Sequence, residues 1–143
     1  MENYMQNYEK WLAYEGLDDA SRAEMKGLSE DDRKFRFSGY MSFGTAGLRS
    51  QMGVGSAMMN TYTVAHTTEG IARLIEETGE DAKSRGVAIA YDSRNNSEAF
   101  AKRCAEVLTA HKIRVYMFSS LRPTPVLSFS ILHLNCIAGI NIT

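Results

Sequence analysis

The sequence predicts an α/β fold, a three-layer α/β/α arrangement around a small, mostly parallel sheet, preceded by an N-terminal helical extension. Residues 87–91 (VAIAY), 113–118 (IRVYMF) and 136–142 (CIAGINI) are short apolar runs, the pattern of strands covered on both faces in a parallel sheet. Helix-period segments separate them, and the order strand–helix–strand–helix–strand calls for right-handed crossovers. The first forty residues carry helix start and stop signals instead of strand runs.

Taken in order, Met5, Tyr8, Trp11 and Leu12 recur at helical spacing and give one apolar face, which Gly16 ends. Asp18 or Asp19 can cap a second piece that stops near Lys26 and Gly27, and Ser29 with Asp32 resembles a capping box for a third. The polar remainder reads as a solvated layer lying over a domain, so the expected division is a helical extension at 1–40 and an α/β domain at 41–143. Residues 39–60 (GYMSFGTAGLRSQMGVGSAMMN) carry five glycines, which interrupt any helix or regular strand. Such a segment is either a mobile loop or a backbone that turns and approaches something closely. Asn60 or Thr61 then caps a helix with Val64, Ile71, Leu74 and Ile75 on one face and Gly79 as its terminator. A further helix is expected over about 97–111, with Phe100, Cys104, Val107 and Leu108 as its stripe. Pro123-Thr124-Pro125 marks a turn into a helix over 126–134, and 136–142 is a third buried strand. Thr143 falls at the carboxyl edge of the sheet, where open α/β folds bind ligands. The chain therefore reads as a domain interrupted where its active-site loop should begin.

Composition narrows the function classes. Hydrophobic residues make up 44% of the chain, enough for a core, and 16 basic against 17 acidic residues leave a formal net charge of −1. With no basic stripe, no nucleic-acid partner is expected. No stretch approaches the ~18 apolar residues of a membrane helix, and MENYMQNYEKWLAYEG lacks the basic start and apolar run of a secretory signal. Cys104 and Cys136 sit in apolar settings and read as buried thiols in a reducing, cytoplasmic compartment.

Three stretches could carry chemistry. In 43–49 (FGTAGLR), Thr45 offers a hydroxyl between glycine-flanked amides and Arg49 a planar fork suited to phosphoryl oxygens; a structural turn is the competing reading. In 91–100 (YDSRNNSEAF), Asp92, Ser93 and Arg94 follow a buried strand and lead into a helix, a position that suits anions. The same residues could equally make turn and cap hydrogen bonds. In 122–129 (RPTPVLSF) the prolines fix a turn that is either part of a site or a helix entry. His66, His111 and His133 have no ligand-like spacing and read as structural or surface residues, with His111 suited to the negative end of a helix.

In order and spacing these pieces resemble the alpha-D-phosphohexomutases, the phosphoglucomutase/phosphomannomutase family. Residues 43–49 resemble its FGT(S/A)GLR opening. Residues 91–94 with Ser97 and Phe100-Ala101 resemble its D-S/T-R…S motif, and 123–125 its PTP turn. Residues 138–143 (AGINIT) are similar to the strand that leads into its phosphoserine loop, T-A-S-H-N-P. The helical front end resembles bacterial members with an extended N-terminus. The resemblance implies the first of four α/β domains in an enzyme that interconverts hexose 1- and 6-phosphates. There a phosphoserine gives its phosphoryl group to the sugar phosphate, and a hexose bisphosphate intermediate, also an activator, returns the other. It further implies Mg²⁺ at the phosphoserine and at aspartates of the second domain, hexose phosphate as substrate, and the remaining mutase domains as partners.

Carried over by the same resemblance, Arg49 is the active-site arginine beside the phosphoserine and Thr45 supports the loop around it. Arg94 braces the catalytic loop or its phosphate, and Thr143 is that loop's first residue; Arg49 and Arg94 are expected to converge. The serine, its His-Asn-Pro and the metal aspartates lie outside these residues, so the segment alone is expected to be inactive. Glucose, mannose and pentose cannot be distinguished without the sugar-reading loop. A stand-alone, non-catalytic module that binds phosphate or a protein is the alternative. A generic nucleotide-binding domain ranks last for want of a P-loop or dinucleotide fingerprint. An exposed apolar face is expected near 136–142, with a tendency to associate.

Overall fold

The structure is a computed structural model and describes residues 3–143. The chain divides into two compact units, Met1–Thr63 and Val64–Thr143.

Three capped helices build the first unit. They are α1 (Tyr4–Ala13), α2 (Asp19–Lys26) and α3 (Glu30–Phe37), and the side chains of Asn3, Asp18 and Ser29 accept from the backbone N–H groups of Met5, Ser21 and Asp32. Each cap satisfies a donor that the helix start would otherwise leave orphaned. The helices pack a core of their own. Tyr8, Leu17, Met25, Leu28, Phe37 and Val54 are buried together, with Met5, Trp11 and Leu12 against them. Tyr8 and Trp11 meet Phe37 edge-to-face at 5.3 and 5.9 Å between ring centroids.

The glycine-rich segment belongs to the same unit. The Asn7 amide donates to the Phe37 carbonyl at 2.9 Å and to Ser56 Oγ at 2.8 Å, and Ser56 Oγ donates to the Gly39 carbonyl at 2.6 Å. Gly55 has φ +131°, and a Cβ there would lie 2.8 Å from the Arg36 Cβ and carbonyl oxygen. Of the two readings of this segment, close approach holds, and α3 is what it approaches. The compact units divide after Thr63.

The expectation that glycines exclude a regular strand is corrected at one place. β1 (Phe43–Gly44) and β2 (Gly47–Leu48) pair antiparallel, with Phe43 opposite Leu48 and Gly44 opposite Gly47. Thr45 and Ala46 form a two-residue connection, the shortest hairpin geometry, in which a glycine with φ > 0 is commonly needed. Neither Thr45 nor Ala46 has a positive φ; the glycine that does, Gly47 at +131°, is the first residue of β2.

The second unit holds the expected parallel sheet. β3 (Val87–Tyr91) is central, flanked in parallel by β4 (Val115–Met117) and β5 (Ala138–Ile142). All five residues of β3 are buried. Ala88 and Ala90 face Leu127, Ile131 and Cys136 on the side covered by α7 (Thr124–His133). By strand alternation Val87, Ile89 and Tyr91 face the opposite side, where α6 (Ser97–Ala110) packs on the sheet with Phe100, Cys104 and Leu108 buried. α4 (Thr61–Thr78) joins α6 through a bond from Thr68 Oγ1 to Cys104 Sγ at 3.3 Å. Asn60 is the cap of α4: its Oδ1 accepts from Thr63 N–H at 2.9 Å while Thr63 Oγ1 accepts from Asn60 N–H at 3.1 Å.

Four details differ from the sequence reading. Leu74 is 64% exposed, and the buried residues of α4 in this unit are Val64, Thr68, Ala72 and Ile75. Leu74 precedes Ile75 by one residue, about 100° round the helix. Val107 is only half-buried on α6. A short helix, α5 (Glu80–Arg85), occupies polar residues between Gly79 and Gly86. β5 is an edge strand whose residues are partly exposed, so it is not the buried strand expected, although Cys136 just before it is buried. Besides Leu74, the most exposed large apolar side chains of this unit are Phe129 (65%) and Leu132 (82%), both on α7.

Candidate functional site

The parallel sheet sets the site's position. β3 and β5 run side by side in register from Val87 opposite Ala138 to Tyr91 opposite Ile142, so both deliver their next residue to the same edge. Asp92 N–H continues the ladder to the Ile142 carbonyl at 3.2 Å. This is the carboxyl edge, where open α/β sheets present ligand sites.

Asp92 is the centre of what gathers there. Its Oδ2 accepts from the Thr143 hydroxyl at 2.6 Å. Its Oδ1 accepts from Arg94 N–H and from Ser97 Oγ, both at 3.0 Å. Arg94 Nε lies 3.5 Å from Oδ2. The Thr143 hydroxyl and then the Arg94 N–H, with lesser help from the Ser97 hydroxyl and the Arg94 charge, hold the Asp92 carboxyl below the usual carboxylate range against desolvation. An ionised Asp92 therefore fixes the end of β5, the turn after β3 and the first residue of α6 with one side chain. The turn also needs Asn96, the residue before α6, in the left-handed conformation at φ 64°. Asparagine tolerates that conformation better than most residues.

Of the expected site residues, the structure brings Arg94 and Thr143 together on Asp92. The Arg94 side chain is 70% exposed, so most of its guanidinium faces solvent and remains open to an anion. A surface cavity of about 490 Å³ adjoins it, bounded by Asp92, Ser93, Arg94, Asn96, Lys102 and Leu121. Lys102 escaped the sequence reading. It pairs with Glu98 at 2.7 Å, one turn earlier on the helix, and only its place on the first turns of α6 could have drawn attention to it. The 122–129 stretch resolves toward helix entry, since Pro123 precedes α7 and Pro125 sits in its first turn. Even so, Asn141 Nδ2 donates to Thr124 Oγ1 at 2.8 Å and ties that entry to the end of β5.

Thr45 and Arg49 belong to the first unit. Thr45 is exposed at the tip of the β1–β2 hairpin, and Arg49 is exposed just after β2. Among the described residues Arg49 has no hydrogen-bond or ion-pair partner, which leaves its fork available. The resemblance also raised Mg²⁺. Among the described residues no group of three or more His, Cys, Asp or Glu side chains could hold a metal ion, and the Asp92 oxygens are already engaged. These residues do not form a Mg²⁺ site by themselves. Both cysteines are free and buried, and burial pushes their thiols up, so neither offers a ready nucleophile. Among the described residues no helix is long and apolar enough to cross a membrane.

Residues 40–143 match the family described as "Phosphoglucomutase/phosphomannomutase, alpha/beta/alpha domain I". The chain is 38% identical over 144 residues to the human protein named "Phosphopentomutase", covering 94% of this chain and 23% of that protein. It is 41% identical over 109 residues to the mouse "Glucose 1,6-bisphosphate synthase" (72% of this chain, 18% of that one). It is 38% identical over 115 residues to the "Phosphoglucomutase" of Staphylococcus saprophyticus (80% and 20%). The chain thus spans roughly a fifth of the length of these curated relatives. No solved structure gives a significant match.

Proposed function

Since the chain belongs to the phosphoglucomutase/phosphomannomutase family through its first α/β/α domain, we propose that it serves as the N-terminal segment of a sugar-phosphate mutase. The reaction moves a phosphoryl group between positions of a hexose phosphate, through a phosphoserine enzyme and a hexose bisphosphate intermediate. The observation that carries this reading is the Asp92-centred network, in which the carboxyl ends of two parallel strands are locked together with Arg94 beside them. Phosphoryl transfer asks the protein mainly for positioning and for cationic donors around the transferring oxygens. Exposed guanidinium groups at Arg49 and Arg94 are the donors this segment offers. In this reading Arg49 acts on the transferring phosphoryl group and Arg94 braces the loop or its phosphate. Thr45 supports the hairpin, and Thr143 opens the catalytic loop under the hold of Asp92. Mg²⁺ and the rest of the sugar-binding surface come from residues outside this segment.

A pentose phosphate is the second reading, favoured by the relative named "Phosphopentomutase" matching 94% of the chain, helical front end included. A chimera tests both readings, with this segment replacing the matching part of the Staphylococcus saprophyticus protein. Turnover of glucose 1-phosphate in a coupled assay is the expected result. Turnover of ribose 1-phosphate alone would favour the pentose reading. A folded chimera active on neither would support a non-catalytic binding module. The 143-residue polypeptide alone is expected to show no mutase turnover in the same assay, and conversion above background would contradict that.

A further inference from the structure

One histidine bridges two helices on the side of the sheet away from α7. His111 closes the C-terminal end of α6, its backbone N–H bonding to the Val107 and Leu108 carbonyls. Its ring reaches α4 with both nitrogens. Nε2 lies 2.8 Å from Glu69 Oε2 and Nδ1 lies 2.9 Å from Glu76 Oε1. A neutral imidazole has one N–H and one lone pair, whereas the imidazolium donates from both nitrogens. Two carboxylates, each facing a different ring nitrogen, are therefore both satisfied only by the protonated ring. A single metal ion could not substitute, because the two carboxylates approach opposite nitrogens, and no such ion site exists among the described residues.

Of the other charges nearby, the ionised Glu69 and the helix end favour the protonated ring, while Arg73 and Lys112 oppose it. Glu69 also accepts from Arg73 Nε at 2.8 Å, which keeps it ionised and in place. The α6 carbonyls present the negative end of a helix to the ring, and Lys112, next in the chain, is the nearest added positive charge in sequence.

We propose that His111 is a proton-operated clasp between α4 and α6, closed on both arms when the ring is protonated and open on one arm when it is neutral. Loss of the proton leaves one carboxylate facing a lone pair, and the last turn of α6 loosens. The hydrogen bonds from Glu76 and then Glu69 raise the ring's pKa above the ordinary 6.5. The sign follows from linkage: the stabilisation is fully present below 6.5 and is lost as pH rises through the raised folded value. The clasp thus weakens as pH rises above the ordinary imidazole value and through the raised one. It is independent of any mutase activity.

The test uses the whole 143-residue chain. The His111 ring is titrated by NMR from about pH 5 to about pH 9, and amide hydrogen exchange is followed at residues 109–113. The expected midpoint lies above 6.5. Protection at those amides, corrected for intrinsic base catalysis, should be lost through the same midpoint. Glu76→Gln, which removes one arm, should lower the midpoint. A midpoint at or below 6.5 in the native chain, or protection that ignores the ring's titration, would overturn the proposal whether or not the variant folds.

Discussion

The Asp92 carboxylate receives Ser97 and Arg94 from the turn it begins and Thr143 from 51 positions further along the chain. A residue engaged this way couples stability to acid. Its folded pKa is depressed, so its contribution is present above the unfolded value of 3.8 and is lost as pH falls through the lower folded value. Asp92→Asn should cost about 1 kcal/mol at neutral pH, the scale of one net hydrogen bond, and should flatten the acid limb of the stability curve. Urea unfolding at neutral and acid pH measures both effects. An equal loss at both pH values would show that the charge of Asp92 does not matter. Asp92 and Arg94 were legible in sequence because they follow an unmistakable strand. The Thr143 partnership was not, since nothing local marks a contact made by the pairing of β3 with β5.

At the scale of elements, legibility followed the length and continuity of apolar runs. The strand 87–91 and the capped helices at 4–13, 19–26 and 30–37 stood out because each repeats its signal over several residues. The Phe43–Gly44 and Gly47–Leu48 strands are too short for any periodicity to register, and α5 offers six polar-leaning residues between two glycines. The buried face of α4 was read one position too wide, because Leu74 is apolar yet points to solvent while Thr68 and Ala72 fill the face. That correction makes a prediction. Ile75→Ala should destabilise the protein by about 2–4 kcal/mol, as for a core isoleucine. Leu74→Ala should fall within about 0.5 kcal/mol of the parent, as for a surface position. Thermal unfolding of the two variants decides between the faces, and equal losses would contradict the assignment.

For the whole molecule, the second unit is a small sheet with β4 and β5 as exposed edges and with Phe129 and Leu132 standing out from α7. Unpaired edges and apolar side chains in water favour association. The 143-residue chain should therefore elute from size-exclusion columns in a concentration-dependent position, and Leu132→Glu should shift it toward monomer. A native chain that stays monomeric across concentrations would remove that expectation. Arg49 tests most directly whether this segment serves phosphoryl transfer as proposed. In the chimera with the Staphylococcus saprophyticus phosphoglucomutase, kcat for glucose 1-phosphate should fall on the order of 10²–10³-fold on Arg49→Ala, the loss typical of removing one transition-state donor. An active chimera whose kcat is unchanged by Arg49→Ala would contradict the account.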